Sequence, residues 1–218
     1  MNWQKATLIK KRQSAEDVWV LTVKPEKWEP FDPGQFYQLQ LPGIFLDRCY
    51  SILSTPADEG ILEFGIQCIP GGVLSPQLCE MEVGGSIEII GPQGAYFNWK
   101  PEMRGPLVLI GGGSGMVPLI SIYNHVKSLD PGLPITFIMS AKSPEKIMDY
   151  NSWKDRLITR FTSSEPRIDQ DFLQNKIDLA QKDAMYFICG SGRFTYDIKN
   201  YLENLGVEKI QIQSEQFF

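Results

Sequence analysis

Between residues 100 and 105 the chain changes rhythm, and that change restricts it to two unlike halves. Upstream, apolar and polar residues alternate in Val18-Trp19-Val20-Leu21-Thr22-Val23, in Gln35-Phe36-Tyr37-Gln38-Leu39-Gln40-Leu41 and in Ile61-Leu62-Glu63-Phe64-Gly65-Ile66. Successive side chains of a strand point to opposite faces, so a period of two predicts strands with one face buried. Pro30, Pro33-Gly34, Pro42-Gly43, Pro56, Pro70-Gly71-Gly72, Gly84-Gly85 and Pro92 punctuate these segments. About six short strands at this spacing predict an antiparallel barrel or sandwich. One short helix is expected over 75–82, with Ser75 as its cap and Pro76 in the first position, where a missing N–H costs nothing.

Downstream, Leu107-Val108-Leu109-Ile110 is an unbroken apolar run that enters a glycine-rich turn. A strand without a polar face is one buried on both sides. A helix is expected over 118–129, further apolar strands at 135–139, 157–161, 185–188 and 210–212, and a helix over 193–205 stopped by Gly206. Strands alternating with helices predict a parallel sheet covered on both faces. The expected fold class is therefore β + α/β. An antiparallel β-barrel domain spans residues 1–101, and a parallel-sheet α/β domain spans 102–218, with Pro101 and Gly105 marking the linker.

A net charge of −5 argues against a nucleic-acid partner, which would call for a basic patch. Lys10-Lys11-Arg12 is followed at once by Glu16-Asp17 and reads as a solvated strand end. No run approaches the ~20 apolar residues that cross a bilayer, so no membrane span is expected. The opening Met1-Asn2-Trp3-Gln4-Lys5 lacks an apolar targeting core, which sets a cytoplasmic location as the expectation. Cys49, Cys68, Cys79 and Cys189 are scattered without the spacing of a zinc or iron–sulfur site. They are expected as free thiols, with no metal bound.

Five segments carry candidate chemistry. In Arg48-Cys49-Tyr50-Ser51 the arginine offers a planar fork for phosphate, the tyrosine a ring for stacking and the serine a short hydrogen-bonding group. Either a ligand with a pyrophosphate and a flat heteroaromatic ring or an ordinary half-buried strand would use them. Gly71-Gly72-Val73-Leu74-Ser75 lets backbone approach a phosphate closely and then starts a helix, although a plain turn and capped helix would read the same way. Gly112-Gly113-Ser114-Gly115-Met116-Val117-Pro118 follows an apolar strand and opens a helix, the context a dinucleotide loop requires. Pro118 stands where the third glycine of G-x-G-x-x-G would fall. Cys189-Gly190-Ser191-Gly192 ends another apolar strand and leads into a helix, and Glu215-Gln216-Phe217-Phe218 closes the chain.

In this order, and together with Gly91-Pro92-Gln93-Gly94, these motifs resemble the ferredoxin–NADP reductase superfamily of FAD-dependent, pyridine-nucleotide-using oxidoreductases. The resemblance runs from Pro33-Gly34-Gln35-Phe36 to the C-terminus. It implies an FAD site formed by Arg48, Cys49, Tyr50, Ser51, Ile66, Gly72, Val73, Leu74 and Ser75, with Phe217 and Phe218 covering the flavin. Arg48 would neutralise the pyrophosphate, Tyr50 lie beside the ring system and Ser51 hydrogen-bond near its N5. It implies an NAD(P) site at Gly112, Gly113, Ser114, Gly115, Met116, Pro118, Cys189, Gly190 and Ser191. Ser51, Cys189 and Glu215 would surround hydride transfer, with Gly190 keeping a side chain out of the path. The family often has proline where Ser191 stands.

The cosubstrate is NADH or NADPH. Lys142, Lys146, Arg160 and Arg167 are candidate partners for a 2′-phosphate, but Ser163-Ser164-Glu165 stands where NADP-dependent relatives often carry Ser-Arg-Glu. Many relatives carry an iron–sulfur centre, so here one is expected on a partner: ferredoxin, flavodoxin or an oxygenase component. A reductase component of an oxygenase or a free-flavin reductase is one competing reading, and a non-catalytic electron-transfer or redox-sensing flavoprotein subunit is the other.

Overall fold

The computed structural model describes every residue except Met1, Tyr96, Asn98, Arg104 and Phe218. In the first half, β1 (Gln4–Ala15), β2 (Val18–Pro25), β3 (Phe36–Gln40), β4 (Arg48–Ser51), β5 (Leu62–Gln67) and β6 (Ser86–Gln93) pair antiparallel in the order β4-β3-β6-β1-β2-β5. The two ends of this sheet meet. Ile52 bridges Phe64, and the Leu53 N–H donates to the Glu63 carbonyl at 2.7 Å, closing the sheet into a barrel. Leu21, Leu39, Leu62, Phe64, Ile66, Ile87 and Ile89 fill its interior. Across β3 and β4, Tyr37 lies opposite Tyr50 and Phe36 opposite Ser51.

The short helix α1 (Ser75–Glu80) ends two residues sooner than expected and is not capped by Ser75. Its N-cap is Leu74, without a side-chain hydrogen bond. The Ser75 hydroxyl instead accepts the Ile69 N–H at 3.1 Å, fastening the preceding loop. A tertiary partner has displaced the local capping preference.

In the second half, β7 (Leu107–Gly112), α2 (Met116–Leu129), β8 (Ile135–Ala141), α3 (Tyr150–Trp153), β9 (Ile158–Phe161), α4 (Gln170–Lys176), β10 (Met185–Ser191), α5 (Gly192–Asn204) and β11 (Ile212–Phe217) follow in turn. The strands form a parallel sheet in the order β11-β10-β7-β8-β9. Leu107 and Leu109 face one core while Val108 and Ile110 face the other, which is why the run lacks polar residues. The strand expected at 210–212 lies further on. Lys209–Gln211 is a single 3₁₀ turn, and β11 carries the chain through Phe217 instead of leaving a frayed tail.

The halves share a core. Val18, Val20 and Leu53 of the barrel pack with Met116, Val117 and Ile120 of α2. The buried Ser121 hydroxyl donates to the Ser54 carbonyl at 2.7 Å. Arg12 pairs with Asp149 at 2.7 Å, and Lys146 reaches Glu16 and Asp17 at 3.1 and 3.4 Å. The barrel and the parallel sheet are therefore packed against each other through this core and these bonds. Among the described residues, no helix is long and apolar enough to cross a membrane.

Candidate functional site

β4 lies at one edge of the barrel's strand order and presents three unlike groups. Arg48 is exposed, donates only to its neighbour's Asp47 carbonyl at 2.8 Å and forms no ion pair among the described residues. Tyr50 is half-buried against the barrel core, and burial pushes its hydroxyl up to about 12, with Cys79 of α1 near enough to add to the shift. Ser51 is buried, and its Oγ has no hydrogen-bond partner. A buried hydroxyl left unpaired costs about 1–3 kcal/mol, so a polar ligand atom is the natural complement there.

The loop from Ile69 to Ser75 lies beside this strand. Gly71 adopts φ +76°, which favours glycine, and a Cβ there would meet nothing within 4 Å. The Gly72 N–H donates to the Ile69 carbonyl at 2.9 Å, and Val73 is exposed. Of the residues expected at the FAD site, Ile66 and Leu74 have their side chains buried in the barrel core. An exposed guanidinium, a half-buried ring, a partnerless buried hydroxyl and a glycine loop fit a dinucleotide bearing a flat ring.

The second region sits where the parallel sheet reverses its strand order, between β7 and β10. Ligands of such sheets bind beyond the C-terminal strand ends at that point. Gly113 has φ +57° and open space where a Cβ would project. At Gly115 a Cβ would lie 2.1 Å from the Cys189 carbonyl oxygen, so this glycine lets the loop press onto β10. Met116 is fully buried in the shared core, and Pro118 is buried in the first turn of α2. Both would reach a nucleotide through backbone, as the loop context implies. At Gly190 a Cβ would meet Phe194 Cδ1 at 2.7 Å, so the missing side chain leaves room for that ring. A Cβ on Gly112 would meet the same ring at 3.1 Å. Sequence reasoning missed Phe194; its signal was an aromatic residue three positions after Ser191, whose hydroxyl caps α5 by accepting the Phe194 N–H at 3.4 Å.

β11 joins the two regions. Cys189 and Glu215 are direct partners across β10 and β11. Cys189 is fully buried, and burial first, then the nearby Glu215 carboxyl, pushes its thiol well above the ordinary range. Burial lifts Glu215 to about 7, and its Oε2 has no hydrogen-bond partner. Cys49 is raised by burial and by Asp47, and the same Glu215 carboxyl also contributes. Glu215 thus lies within electrostatic range of both Cys189 of the parallel sheet and Cys49 of β4. Ser51 is two residues along β4, on the strand face of Cys49. Phe217 packs against the shared core; Phe218 lies outside the described residues.

Glu215 makes stability depend on pH. Its carboxyl titrates at 4.5 when unperturbed and at about 7 when folded, so the native state holds the proton more tightly. Stability from this group is complete below 4.5 and is lost as pH rises through about 7. Glu215→Gln is expected to raise stability by about 1 kcal/mol near pH 8, discounted for partial exposure, which is roughly 3 °C in melting temperature. The gain should shrink sharply near pH 5. Thermal unfolding of both proteins at the two pH values checks this, and a gain independent of pH would remove Glu215 as the titrating group.

The four candidate cations are not equivalent. Lys146 is held by Glu16 and Asp17 of the barrel. Arg160 pairs with Glu165 at 3.6 Å, donates to the Pro166 carbonyl and lies over the Phe172 ring at 4.8 Å. Lys142 and Arg167 are exposed.

Residues 5–98 match the family model described as the oxidoreductase FAD-binding domain. The chain is 37% identical over 122 residues to the reductase component of propane 2-monooxygenase from Gordonia sp. (strain TY-5), covering 56% of this chain and 35% of that protein. It is 24% identical over 232 residues to the toluate 1,2-dioxygenase electron transfer component of Pseudomonas putida, covering 97% of this chain and 67% of that one. The alignment with the Gordonia protein thus takes in only about a third of its length. In fold, the chain superposes on the cytochrome P450 reductase GcoB of Amycolatopsis with a TM-score of 0.85 and 21% identity, over 99% of this chain and 70% of that one.

Proposed function

We propose that the chain, whose residues 5–98 match the oxidoreductase FAD-binding domain, is a ferredoxin reductase-like oxidoreductase that moves electrons from NAD(P)H through bound FAD to a separate acceptor. The observation that carries this reading is the buried Ser51 hydroxyl of β4, left without a protein partner on the same strand as the exposed Arg48. Glu215 of β11 lies within electrostatic range of both Cys49 and Cys189, which supports bringing the strand assigned to FAD near the loops assigned to nicotinamide. Bound FAD would supply acceptance of a hydride and release of single electrons.

The chain's own residues bind, orient and exclude water. Arg48 brings a guanidinium with no competing ion pair to the phosphates. Tyr50, fixed against the barrel core, offers a rigid ring edge or face to a flat ligand. Ser51 Oγ, lacking a protein partner, is the hydrogen-bonding group nearest the reacting end of the ring. The loop at Gly112-Gly113-Ser114-Gly115 presents backbone to a second pyrophosphate. Glu215, poised near neutrality, can hold or give a proton where nicotinamide enters. Cys189 and Phe194 keep that end of the site apolar and dry.

Among acceptors, an oxygenase component is favoured over free flavin, because the Gordonia and Pseudomonas relatives are reductase and electron transfer components of oxygenases. A cytoplasmic location is part of the same proposal. FAD-loaded protein titrated anaerobically with NADH, and separately with NADPH, should lose its visible flavin absorbance with at least one of them. A protein that takes up no FAD, or whose flavin neither nucleotide bleaches, would end this reading.

A further inference from the structure

A single aromatic ring touches both loops assigned to nicotinamide. Phe194 is the third residue of α5, and Ser191 fixes the start of that helix by accepting the Phe194 N–H at 3.4 Å. A Cβ on Gly112, the last residue of β7, would meet Cγ and Cδ1 of the Phe194 ring at 3.1 Å and Cε1 at 3.2 Å. A Cβ on Gly190 of β10 would meet Cδ1 at 2.7 Å and Cε1 at 3.3 Å, with the Gly112 carbonyl oxygen also at 3.3 Å. Neither glycine is needed for its backbone angles. Neither has a positive φ, and Gly112 is extended at φ −125° and ψ 120°, open to any residue. Two adjacent strands thus each carry a glycine at their C-terminal end to admit one ring, at the point where such sheets bind ligands. The ring itself is half-buried against the core that holds Ile110, Ile188 and Ile198, so it cannot swing away without exposing apolar surface.

We propose that Phe194 is a positioning residue for hydride transfer: its ring sets the spacing between the loops at 112–115 and 189–192, and through them the alignment of nicotinamide with the flavin. The inference rests on the assignment of those loops to NAD(P)H. The ring carries no charge and forms no bond in the reaction. It acts by filling the gap between two strand ends, so that the backbone on either side has one packed position in place of several.

Truncating the side chain leaves a void beside Gly112 and Gly190, and both loops gain freedom. A dinucleotide is held along its whole length, so its affinity should change little. The alignment of one hydride donor with one acceptor is far less tolerant, and a limiting reduction rate lower by about 30-fold is expected of Phe194→Ala. The dissociation constant of the oxidised, unreactive nucleotide, measured by calorimetry, should stay within about threefold. Reduced nicotinamide stacked on oxidised flavin absorbs at long wavelength through charge transfer. That absorbance reports alignment directly, and it should weaken in the same variant.

The test is anaerobic stopped-flow reduction of FAD-loaded protein by whichever of NADH and NADPH bleaches the wild-type flavin. Phe194→Leu, which refills most of the gap, should recover the rate to within about fivefold of wild type. Gly190→Ala should be slow because its methyl strikes the ring. In Gly190→Ala/Phe194→Ala that methyl enters the vacated space, so the double variant should be no slower than either single one, where independent effects would multiply to roughly 1,000-fold. A Phe194→Ala protein with a lowered melting temperature but the wild-type limiting rate would make the ring ordinary core and overturn the proposal. Weaker nucleotide binding at an unchanged limiting rate, or multiplicative slowing in the double variant, would overturn it too. If Phe194→Ala does not fold, wild-type rates in both Phe194→Leu and Gly190→Ala overturn it, and slowing in Gly190→Ala with recovery in Phe194→Leu upholds it. A wild-type protein that takes up no FAD, or whose flavin neither nucleotide bleaches, would sink the NAD(P)H reading and this inference with it; a bleaching wild type with unaffected variants would sink the inference alone.

Discussion

Replacing Gly115 with alanine is expected to cut the rate of NAD(P)H-driven flavin reduction by about 100-fold or more while FAD stays bound. The backbone at this position, φ −59° and ψ −10°, is one that any L-residue adopts, so conformational strain plays no part. The cost comes from collision. A Cβ would lie 2.1 Å from the Cys189 carbonyl oxygen, 2.4 Å from its carbonyl carbon and 2.9 Å from the Gly190 nitrogen. All three are backbone atoms of β10, so no rotamer change relieves the clash. Non-bonded heavy atoms settle near ~3.5 Å, so the loop or the strand must shift by about 1 Å, and a misplacement of that size at a reacting pair costs about 100-fold. Arg48, Tyr50 and the loop at 69–75 belong to the barrel and should retain FAD within about twofold. Gly113→Ala is the control. Its Cβ would meet nothing within 4 Å, so only the strain of φ +57°, about 1 kcal/mol, should appear in stability. Stopped-flow reduction of the FAD-loaded variants separates the two, and a Gly115→Ala protein reduced at the wild-type rate would show that the loop does not need its seat on β10.

That seat illustrates where sequence reasoning reached and where it stopped. β7 was legible because Leu107-Val108-Leu109-Ile110 is covered on both faces, and burial on both faces writes itself as an unbroken apolar run. β1 was not legible. Lys10 is exposed while Lys11 and Arg12 are half-buried, and register shifts fall between Leu8 and Lys10 and between Gln13 and Ala15, so twelve residues of strand carry no steady alternation. The glycine loops were found by type and context, but their reasons differ: Gly113 needs its backbone angle, Gly115 needs closeness to β10, and Gly190 makes room for Phe194. Only the first is a local property. Cys189 and Glu215 were chosen separately through family likeness, and their pairing depends on the register of β10 with β11, which no local pattern encodes. Ser75 failed as a cap for the same reason, since its hydroxyl found Ile69 across a turn.

The strand Arg48-Cys49-Tyr50-Ser51 predicts opposite behaviour from its two ends. Arg48→Ala should raise the FAD dissociation constant by about 30-fold, because a charge-assisted bond to phosphate is worth about 2 kcal/mol. The side chain is exposed and donates only to Asp47, so its loss breaks no core contact and the fold should hold. With FAD in excess, flavin reduction should proceed within a few-fold of the wild-type rate. Ser51→Ala should do the reverse. Its Oγ is buried without a protein partner, so alanine removes an unsatisfied polar atom, and stability should be unchanged or slightly higher. FAD should remain bound, but hydride transfer should slow by about 10–100-fold if the hydroxyl serves the reacting end of the ring. Equilibrium FAD binding, single-turnover reduction and thermal unfolding, measured on both variants, separate the roles. Two variants that lost only stability would make β4 a structural strand. A Ser51→Ala enzyme with normal reduction would leave the buried hydroxyl outside the chemistry and move the search for the group beside the reacting atoms to Cys49 and Glu215, which lie within electrostatic range of each other.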